Sequence, residues 1–202
     1  MDTVRYYAAL IAIVTIPPAL VYWFIVHPFV GFWRRRGKVV TFSLLAVVYI
    51  GLAAAIWTMR GVLLAPETDY GTDSTLWLPA AACYAFAMWI QIRIRKQLRF
   101  TVLAGSPELD ADGKGGQLLA EGLYARVRHP RYAAILFGVV AWALFSNYLA
   151  TYLLIPITLV ALMAIVTIEE RELAIRFGED YEEYRRRVPM FIPRFGRDAA
   201  DG

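Results

Sequence analysis

Four stretches without Asp, Glu, Lys or Arg constrain the fold of this chain more than any other feature. They cover residues 6–26, 39–59, 76–92 and 132–168. A helix that crosses a bilayer needs about 20 apolar residues, so each of the first three stretches predicts one transmembrane helix. The fourth has 37 residues, too many for one crossing of a hydrocarbon core about 30 Å thick. It predicts a tight helical hairpin that turns near Ser146–Asn147.

The composition agrees with an all-α polytopic membrane protein that has about five transmembrane helices and short cytoplasmic C-terminal helices. Hydrophobic residues make up 59% of the chain and charged residues 19%, whereas about a quarter of a soluble domain is charged. The net charge of +4 reflects basic loops, which mark the cytoplasmic side of membrane proteins, so we predict no nucleic-acid partner. The single cysteine, Cys83, cannot form an internal disulfide or a Cys-rich metal site, and we predict no metal.

Basic loops also predict the orientation of the helices. Segment 27–38 has four basic residues and no acidic one, segment 60–75 has three acidic residues and one basic residue, and segment 93–131 has eight basic residues. Because basic loops stay inside, we expect the N-terminus outside and both long polar segments on the cytoplasmic face. A Gly/Asp-rich stretch at 110–116 predicts a flexible connector, and residues 198–202 predict a frayed tail.

A polar segment, residues 122–132, lies immediately before the fourth charge-free stretch. Its Pro130 suits the first turn of a helix, where a missing N–H costs nothing. Arg128, His129 and Tyr132 then lie at the membrane entrance, near the positive end of the helix dipole, which favours an anionic group. The alternative is that the arginines of this segment only anchor the helix to lipid headgroups.

A second polar segment, residues 168–178, continues out of the last charge-free stretch. Gly178 is placed to end that helix. Glu169 and Glu170 lie at the membrane–water boundary, where a carboxylate is costly to desolvate unless it is paired. The alternative is an ordinary solvated helix end. An amphipathic helix is predicted to follow at 180–188.

At these two segments the chain resembles the isoprenylcysteine carboxyl methyltransferase family and the related membrane phospholipid N-methyltransferases. The resemblance covers about 122–193, with the predicted hairpin between its two parts. The matching residues before the hairpin are Gly122, Tyr124, Arg128, His129, Pro130 and Tyr132. Those after it are Glu169, Glu170, Leu173, Phe177, Gly178, Tyr181, Tyr184, Val188 and Pro189.

Two positions depart from the pattern of that family. Ala134 stands where the family usually has Gly, and Met190 stands where Arg is usual. The second departure puts a substrate contact in doubt, with Arg187 or Arg194 as candidates to replace it.

The resemblance implies S-adenosylmethionine as methyl donor, bound in a cytoplasm-facing pocket formed by the last two helices and the C-terminal segment. Carboxylates attract its sulfonium cation, and tyrosine rings face it by cation–π contact. The implied catalytic residues are Arg128, His129 and Glu169. The implied donor-binding residues are Tyr124, His129, Tyr132, Glu169, Glu170, Leu173, Tyr181 and Tyr184. The implied acceptor-binding residues are Arg128 and Arg187.

The resemblance also implies a lipophilic or lipidated acceptor and the lipid bilayer as partners. An isoprenylcysteine-like carboxylate is the favoured acceptor and needs only positioning, for which Arg128 is the candidate. A phospholipid amine or a small thiol must lose a proton, with His129 or a Glu as the candidate base. Residues 1–92 then form three N-terminal transmembrane helices, and residues 93–202 form the methyltransferase core. The sequence does not predict an oligomeric state.

Two other functions stay open at this point. Membrane sterol and steroid reductases, which use NADPH, also carry an Arg-His-Pro-x-Tyr element and a late Tyr-x-x-Tyr-like segment. The Glu169–Glu170 pair with Leu173 and Phe177-Gly178 favours the methyltransferase. A non-catalytic membrane protein of the same fold is the third interpretation, and it predicts that neither cofactor binds.

Overall fold

A computed structural model describes residues 2–26, 28–97 and 118–193, which contain α-helices, two short 3₁₀ turns and no β-strand. The helices are α1 (Asp2–Val26), α2 (Val30–Arg36), α3 (Lys38–Thr58), α4 (Arg60–Leu63), α5 (Trp77–Gln97), α6 (Pro130–Ser146), α7 (Leu149–Phe177) and α8 (Glu179–Arg187). The 3₁₀ turns are Pro66–Thr68 and Ser74–Leu76. The connector predicted at 110–116, Arg194 and the tail predicted at 198–202 lie outside the described residues.

In the described ranges, four helical segments are long and apolar enough to cross a membrane. They are Asp2–Val26, Val39–Thr58, Ser74–Lys96 and Leu149–Phe177. Helix α6 is also apolar but has 17 residues, about 26 Å at about 1.5 Å per residue. The prediction of an all-α polytopic membrane protein is therefore confirmed.

The predicted hairpin is formed by α6 and α7. Asn147 adopts the left-handed conformation (φ 56°), and its amide donates to the carbonyl of Ala143, 2.9 Å away, which ends α6. Asparagine tolerates this conformation better than most residues. Pro130 is the first residue of α6, and Gly178, with φ 57°, ends α7, both as predicted.

Helix α6 lies at the centre of the bundle and packs against α1, α5 and α7, while α3 packs against α1. Small and branched residues of α1, α6 and α7 form two apolar clusters, one near each end of the hairpin. Helices α3 and α5 expose most of their apolar side chains. Such exposure is expected in a bilayer, because lipid tails are as apolar as leucine.

A buried arginine, which the sequence analysis did not single out, ties the hairpin turn to α1 and the loop after α4. The side chain of Arg5 is 1% exposed, and its Nε donates to the carbonyl of Ser146 at 3.0 Å. It also pairs with Asp2 and Asp69, and its guanidinium carbon lies 5.5 Å from the ring centroid of Tyr148. This network lies at the end of the hairpin where α6 turns into α7. Glu170 lies at the opposite end of the hairpin, together with the predicted site.

Candidate active site

The first residues of α6 meet the last turns of α7 around one carboxylate. Oxygen Oε1 of Glu170 lies 2.9 Å from Nε and 2.7 Å from Nη2 of Arg128. The same oxygen lies 3.0 Å from Nε2 of His129. All three side chains are less than one-tenth exposed. The buried carboxylate is therefore paired, as its cost of desolvation requires.

The imidazole of His129 lies between two carboxylates. Its Nε2 faces Glu170, and its Nδ1 lies 3.7 Å from Oε2 of Glu169. A neutral imidazole donates from one ring nitrogen and accepts at the other. If Nε2 donates to Glu170, Nδ1 keeps its lone pair on the side of Glu169. The pair formed by His129 and Glu169 can thus accept a proton.

The chain after α8 crosses the beginning of α6 and is held there by hydrogen bonds to its backbone carbonyl groups. We call residues 188–193 the C-terminal strap. The amide of Arg128 donates to the carbonyl of Pro189 at 2.9 Å, and the amide of His129 donates to the carbonyl of Met190 at 3.1 Å. The Nη1 group of Arg128 donates to the carbonyl of Val188 at 2.6 Å. Three successive carbonyl groups of the strap are bound by two adjacent residues.

The two tyrosines of α8 are both buried, but their hydroxyl groups differ in hydrogen bonding. The hydroxyl of Tyr184 donates to the carbonyl of Tyr124 at 2.8 Å. The hydroxyl of Tyr181 is buried without a hydrogen-bond partner among the described residues. Burial raises the pKa of Tyr184 to about 12, and burial together with Glu170 raises the pKa of Tyr181. Both hydroxyl groups are therefore protonated at neutral pH and can donate.

Apolar and aromatic residues border the charged centre on its other side. The rings of Tyr132 and Phe191 lie 5.8 and 6.0 Å from the ring of His129, measured between centroids. Met190 and Phe191 pack against the buried cluster that includes Tyr132 and Ile165. Helix α1 adds Trp23, which also packs there and carries the guanidinium of Arg131 over its ring at 4.8 Å.

The structure brings most of the predicted site residues together. Arg128, His129, Glu169, Glu170 and Tyr132 lie in the centre just described. Leu173 packs against the cluster formed by Tyr181, Tyr184 and Val188, and Tyr124 is fixed by its bond to Tyr184. Arg187 instead lies apart, two-thirds exposed, with Nη2 3.7 Å from Oε1 of Glu183. Met190 places its side chain in the apolar cluster.

Three residues near the centre were missed by the sequence analysis. Arg185 lies with its Nε 3.7 Å from Oε2 of Glu170, but in the sequence it is one of three consecutive arginines. Trp23 and Phe191 belong to apolar surroundings, and nothing distinguishes them from other aromatic residues in the chain. Among the described residues, no group of three or more His, Cys, Asp or Glu side chains is arranged to hold a metal ion.

Comparison with known families gives a match over the region that contains these residues. The model of the phospholipid methyltransferase family matches residues 76–180, just over half of the chain. That range includes segments 122–132 and 168–178, which meet around Glu170, and it ends before the C-terminal strap. No solved structure matches the chain significantly.

Curated relatives match over shorter regions. A protein-S-isoprenylcysteine O-methyltransferase of Schizosaccharomyces pombe is 37% identical over 81 residues, which are 38% of this chain and 33% of that protein. A methanethiol S-methyltransferase of Crocosphaera subtropica is 35% identical over 74 residues, 37% of this chain and 28% of that protein. Methanethiol S-methyltransferase 2 of Bradyrhizobium diazoefficiens is 40% identical over 81 residues, 39% of this chain and 30% of that protein. The chain thus matches about a third of the length of these relatives.

Proposed function

The chain belongs to the phospholipid methyltransferase family, and from that premise we propose that it transfers a methyl group from S-adenosylmethionine to a lipophilic acceptor. When bound, this donor supplies an electrophilic methyl group on a sulfonium cation. The observation that carries the proposal is the state of the two adjacent carboxylates, Glu169 and Glu170. The charge of Glu170 is balanced by its neighbours, whereas one oxygen of Glu169 has no hydrogen-bond partner among the described residues.

Glu170 is compensated by residues of this chain. Arg128 and His129 both contact its Oε1, and Arg185 lies near its Oε2. Oxygen Oε2 of Glu169, by contrast, is buried and has no hydrogen-bond partner in the described ranges. A buried polar oxygen without a partner costs free energy, and a cationic ligand removes that cost. The residues present therefore fit a sulfonium donor, with Glu169 as the group that faces its charge.

Tyr181 supports the same ligand from α8. Its side chain is 1% exposed, and its hydroxyl also lacks a hydrogen-bond partner within the described part of the chain. A protonated phenol can donate to an oxygen of the donor, and its ring can face a cation. We propose that Glu169 and Tyr181 contact the donor, together with His129, Tyr132 and Leu173. In this proposal Tyr124 and Tyr184 shape the wall of the donor site, where the Tyr184 hydroxyl donates to the backbone carbonyl of Tyr124.

The acceptor enters from the apolar side of the centre. Trp23, Met190 and Phe191 pack against a buried cluster that includes Tyr132, and their partly exposed side chains form an apolar surface there. An acceptor with an apolar body and a polar reacting atom can lie on this surface with that atom beside His129. Holding both substrates in one orientation is the main contribution that a methyltransferase site of this kind makes to the rate.

The contacts of Arg128 and His129 support an acceptor that loses a proton. A carboxylate acceptor, which the sequence favoured, needs a cation to position it, and the described candidates from the sequence are Arg128 and Arg187. The guanidinium of Arg128, however, is engaged by Glu170 and two carbonyl groups, and Arg187 is solvent-exposed. We therefore propose an amine or a thiol, whose proton would pass to Nδ1 of His129, beside Glu169. Its nitrogen or sulfur would form the new bond to the methyl carbon, and the donor would leave as a neutral thioether when its own carbon–sulfur bond breaks.

We also propose that residues 93–202 form the methyltransferase core and that the site faces the cytoplasm. The basic segments 27–38 and 93–131 support this orientation by their charge. The proposed side is the one at which α6 begins and α7 ends.

Two measurements test the proposed function. Calorimetric titration of the purified protein with S-adenosylmethionine and with NADPH should give binding of the first alone. Incubation with methyl-labelled donor and separate lipid amine, prenylcysteine and thiol acceptors should give labelled product with one class. Binding of NADPH alone would favour a reductase, and binding of neither would favour a non-catalytic protein.

A further inference from the structure

We infer that Arg128 is a positioning residue that fastens the C-terminal strap across the candidate active site, and that it is not a ligand of the acceptor. The part of this inference that concerns donor affinity rests on the proposed function. The part that concerns the strap rests only on contacts within the chain. Nothing in the family match assigns this role, since the match ends at residue 180.

The hydrogen bonds of Arg128 leave little of its guanidinium available. Its Nε and Nη2 contact Oε1 of Glu170, at 2.9 and 2.7 Å. Its Nη1 donates to the carbonyl groups of Arg185, at 3.1 Å, and Val188, at 2.6 Å. An arginine side chain has five N–H groups in a planar fork, and four of them are used by these contacts. The remaining one cannot form the two-pronged clamp by which arginine binds a carboxylate.

The same contacts join four parts of the chain through one side chain. Arg128 precedes α6, Glu170 lies on α7, the carbonyl of Arg185 belongs to α8, and Val188 begins the strap. Hydrogen bonds from a charged donor are about twice as strong as neutral ones. Of the hydrogen bonds described here, those of the Arg128 side chain can be removed by substitution, because the other two to the strap join backbone groups.

Displacement of the strap would change the site directly. Met190 and Phe191 of the strap form part of the apolar wall, and the ring of Phe191 lies beside His129. The strap holds His129, which we propose contacts the donor, because the His129 amide donates to the carbonyl of Met190 and its ring lies beside Phe191. A donor that contacts His129 therefore binds best to the fraction of molecules in which the strap is closed. Loss of the Arg128 contacts should therefore lower donor affinity even if Arg128 never touches the donor.

Hydrogen exchange measures the attachment itself. The amides of Arg128 and His129 donate to the strap carbonyl groups of Pro189 and Met190, so their exchange rates report strap opening. We expect Arg128→Ala to speed exchange at these two amides about tenfold or more, and the interior of α6 to be unchanged. Arg128→Lys should give an intermediate rate, because one ammonium group cannot reach Glu170 and both carbonyl groups together. Arg126→Ala, an exposed neighbour, is the matched control and should exchange like the unaltered protein.

Donor titration of the same variants supplies the second measurement. Arg128→Ala should weaken S-adenosylmethionine binding about tenfold, Arg128→Lys should weaken it less, and saturating donor should slow exchange at residues 128 and 129 in the unaltered protein. Unchanged exchange in Arg128→Ala would overturn the inference, and so would unchanged donor affinity with a raised KM for the acceptor alone. If the unaltered protein binds no donor, the proposed function fails while the exchange comparison still tests the strap. Should Arg128→Ala not fold, Arg128→Lys against Arg126→Ala decides both points.

Discussion

Nε2 of His129 lies 3.0 Å from Oε1 of Glu170, although 41 positions separate the two residues in the chain. The hairpin formed by α6 and α7 produces this contact, because its antiparallel helices return the end of α7 to the beginning of α6. Two segments that are each ambiguous in the sequence thus become one buried polar centre. The adjacent Glu169 extends it, and the different surroundings of the two carboxylates give the first prediction.

Glu169→Gln and Glu170→Gln should have different effects. Glu169→Gln should weaken S-adenosylmethionine binding about tenfold or more, because an opposite charge at contact distance is worth a few kcal/mol near a protein surface. Its effect on the melting temperature should be small, since no described residue donates a hydrogen bond to Oε2 of Glu169. Glu170→Gln should cost about 3–5 kcal/mol of stability, because it removes the partner of a buried Arg128.

Calorimetric titration and thermal unfolding of both variants check these two effects. Glu183→Gln, on the exposed face of α8, is the control and should change neither. Full donor affinity in Glu169→Gln would remove this carboxylate from the proposed donor site.

The two buried tyrosines of α8 allow a matched comparison of single hydroxyl groups. Tyr184→Phe removes a hydrogen bond to the carbonyl of Tyr124 and should cost about 1 kcal/mol of unfolding free energy. Tyr181→Phe removes a hydroxyl without a partner in the described structure, so it should be neutral or slightly stabilising. When donor is present, Tyr181→Phe should become the more strongly affected of the two variants. It should lose more of the stabilisation that the donor gives. Equal donor-induced shifts of the melting temperature in both variants would contradict a donor contact by Tyr181.

The sequence predicts the helices of this chain better than it predicts the contacts of its charged groups. Charge-free stretches locate α1, α3, α5 and the hairpin, because a bilayer excludes unpaired charge over a fixed thickness. The turn at Asn147 and the helix end at Gly178 follow from local backbone preferences. These features depend on residues close together in the chain, which is why one sequence suffices for them.

The pairing of charged groups depends on residues that are far apart in the chain. It therefore cannot be predicted from local sequence patterns in the same way. Arg128 was expected to face an acceptor, and its contacts with Glu170 and the strap were not predicted. Arg5 precedes the first charge-free stretch and therefore gave no signal, yet it is the most buried charged side chain at its end of the hairpin. Periodicity and composition do not specify which carbonyl or carboxylate such a side chain meets.

The Arg5 network predicts a dependence of stability on acid pH. Burial acts to raise the pKa of Asp69, but hydrogen bonds from the Gly71 amide and the Arg5 side chain outweigh it and lower that pKa below its ordinary 3.8. A carboxyl whose pKa is lowered by folding stabilises the protein above its unfolded pKa and loses that effect as the pH falls through its folded pKa. Asp69→Asn should therefore cost about 1–3 kcal/mol at neutral pH.

Thermal unfolding of Asp69→Asn and the unaltered protein between neutral pH and pH values below 3.8 checks this prediction. The melting temperatures of the two proteins should differ by a constant amount from neutral pH down to about 3.8. This difference should become smaller only below that pH. Glu67→Gln, an exposed change in the same loop, is the control and should follow the unaltered protein. A difference that persists at the lowest pH would show that the Asp69 charge is not its source.

The side of the membrane that the site faces is tested by single cysteines. In a Cys83→Ser background, Glu67→Cys lies in the loop between α4 and α5, and Glu121→Cys lies just before α6; both positions are exposed. The loop at 60–75 has three acidic residues and one basic residue, whereas 93–131 has eight basic residues. The positive-inside rule therefore places position 67 outside and position 121 in the cytoplasm.

An impermeant thiol reagent applied to intact cells should label position 67 and spare position 121, and it should label both after permeabilisation. The reverse pattern in intact cells would place Glu169, Glu170 and the strap on the outer face. The donor would then have to be available outside the cell, which would contradict a cytoplasmic methyltransferase even if the purified protein were active.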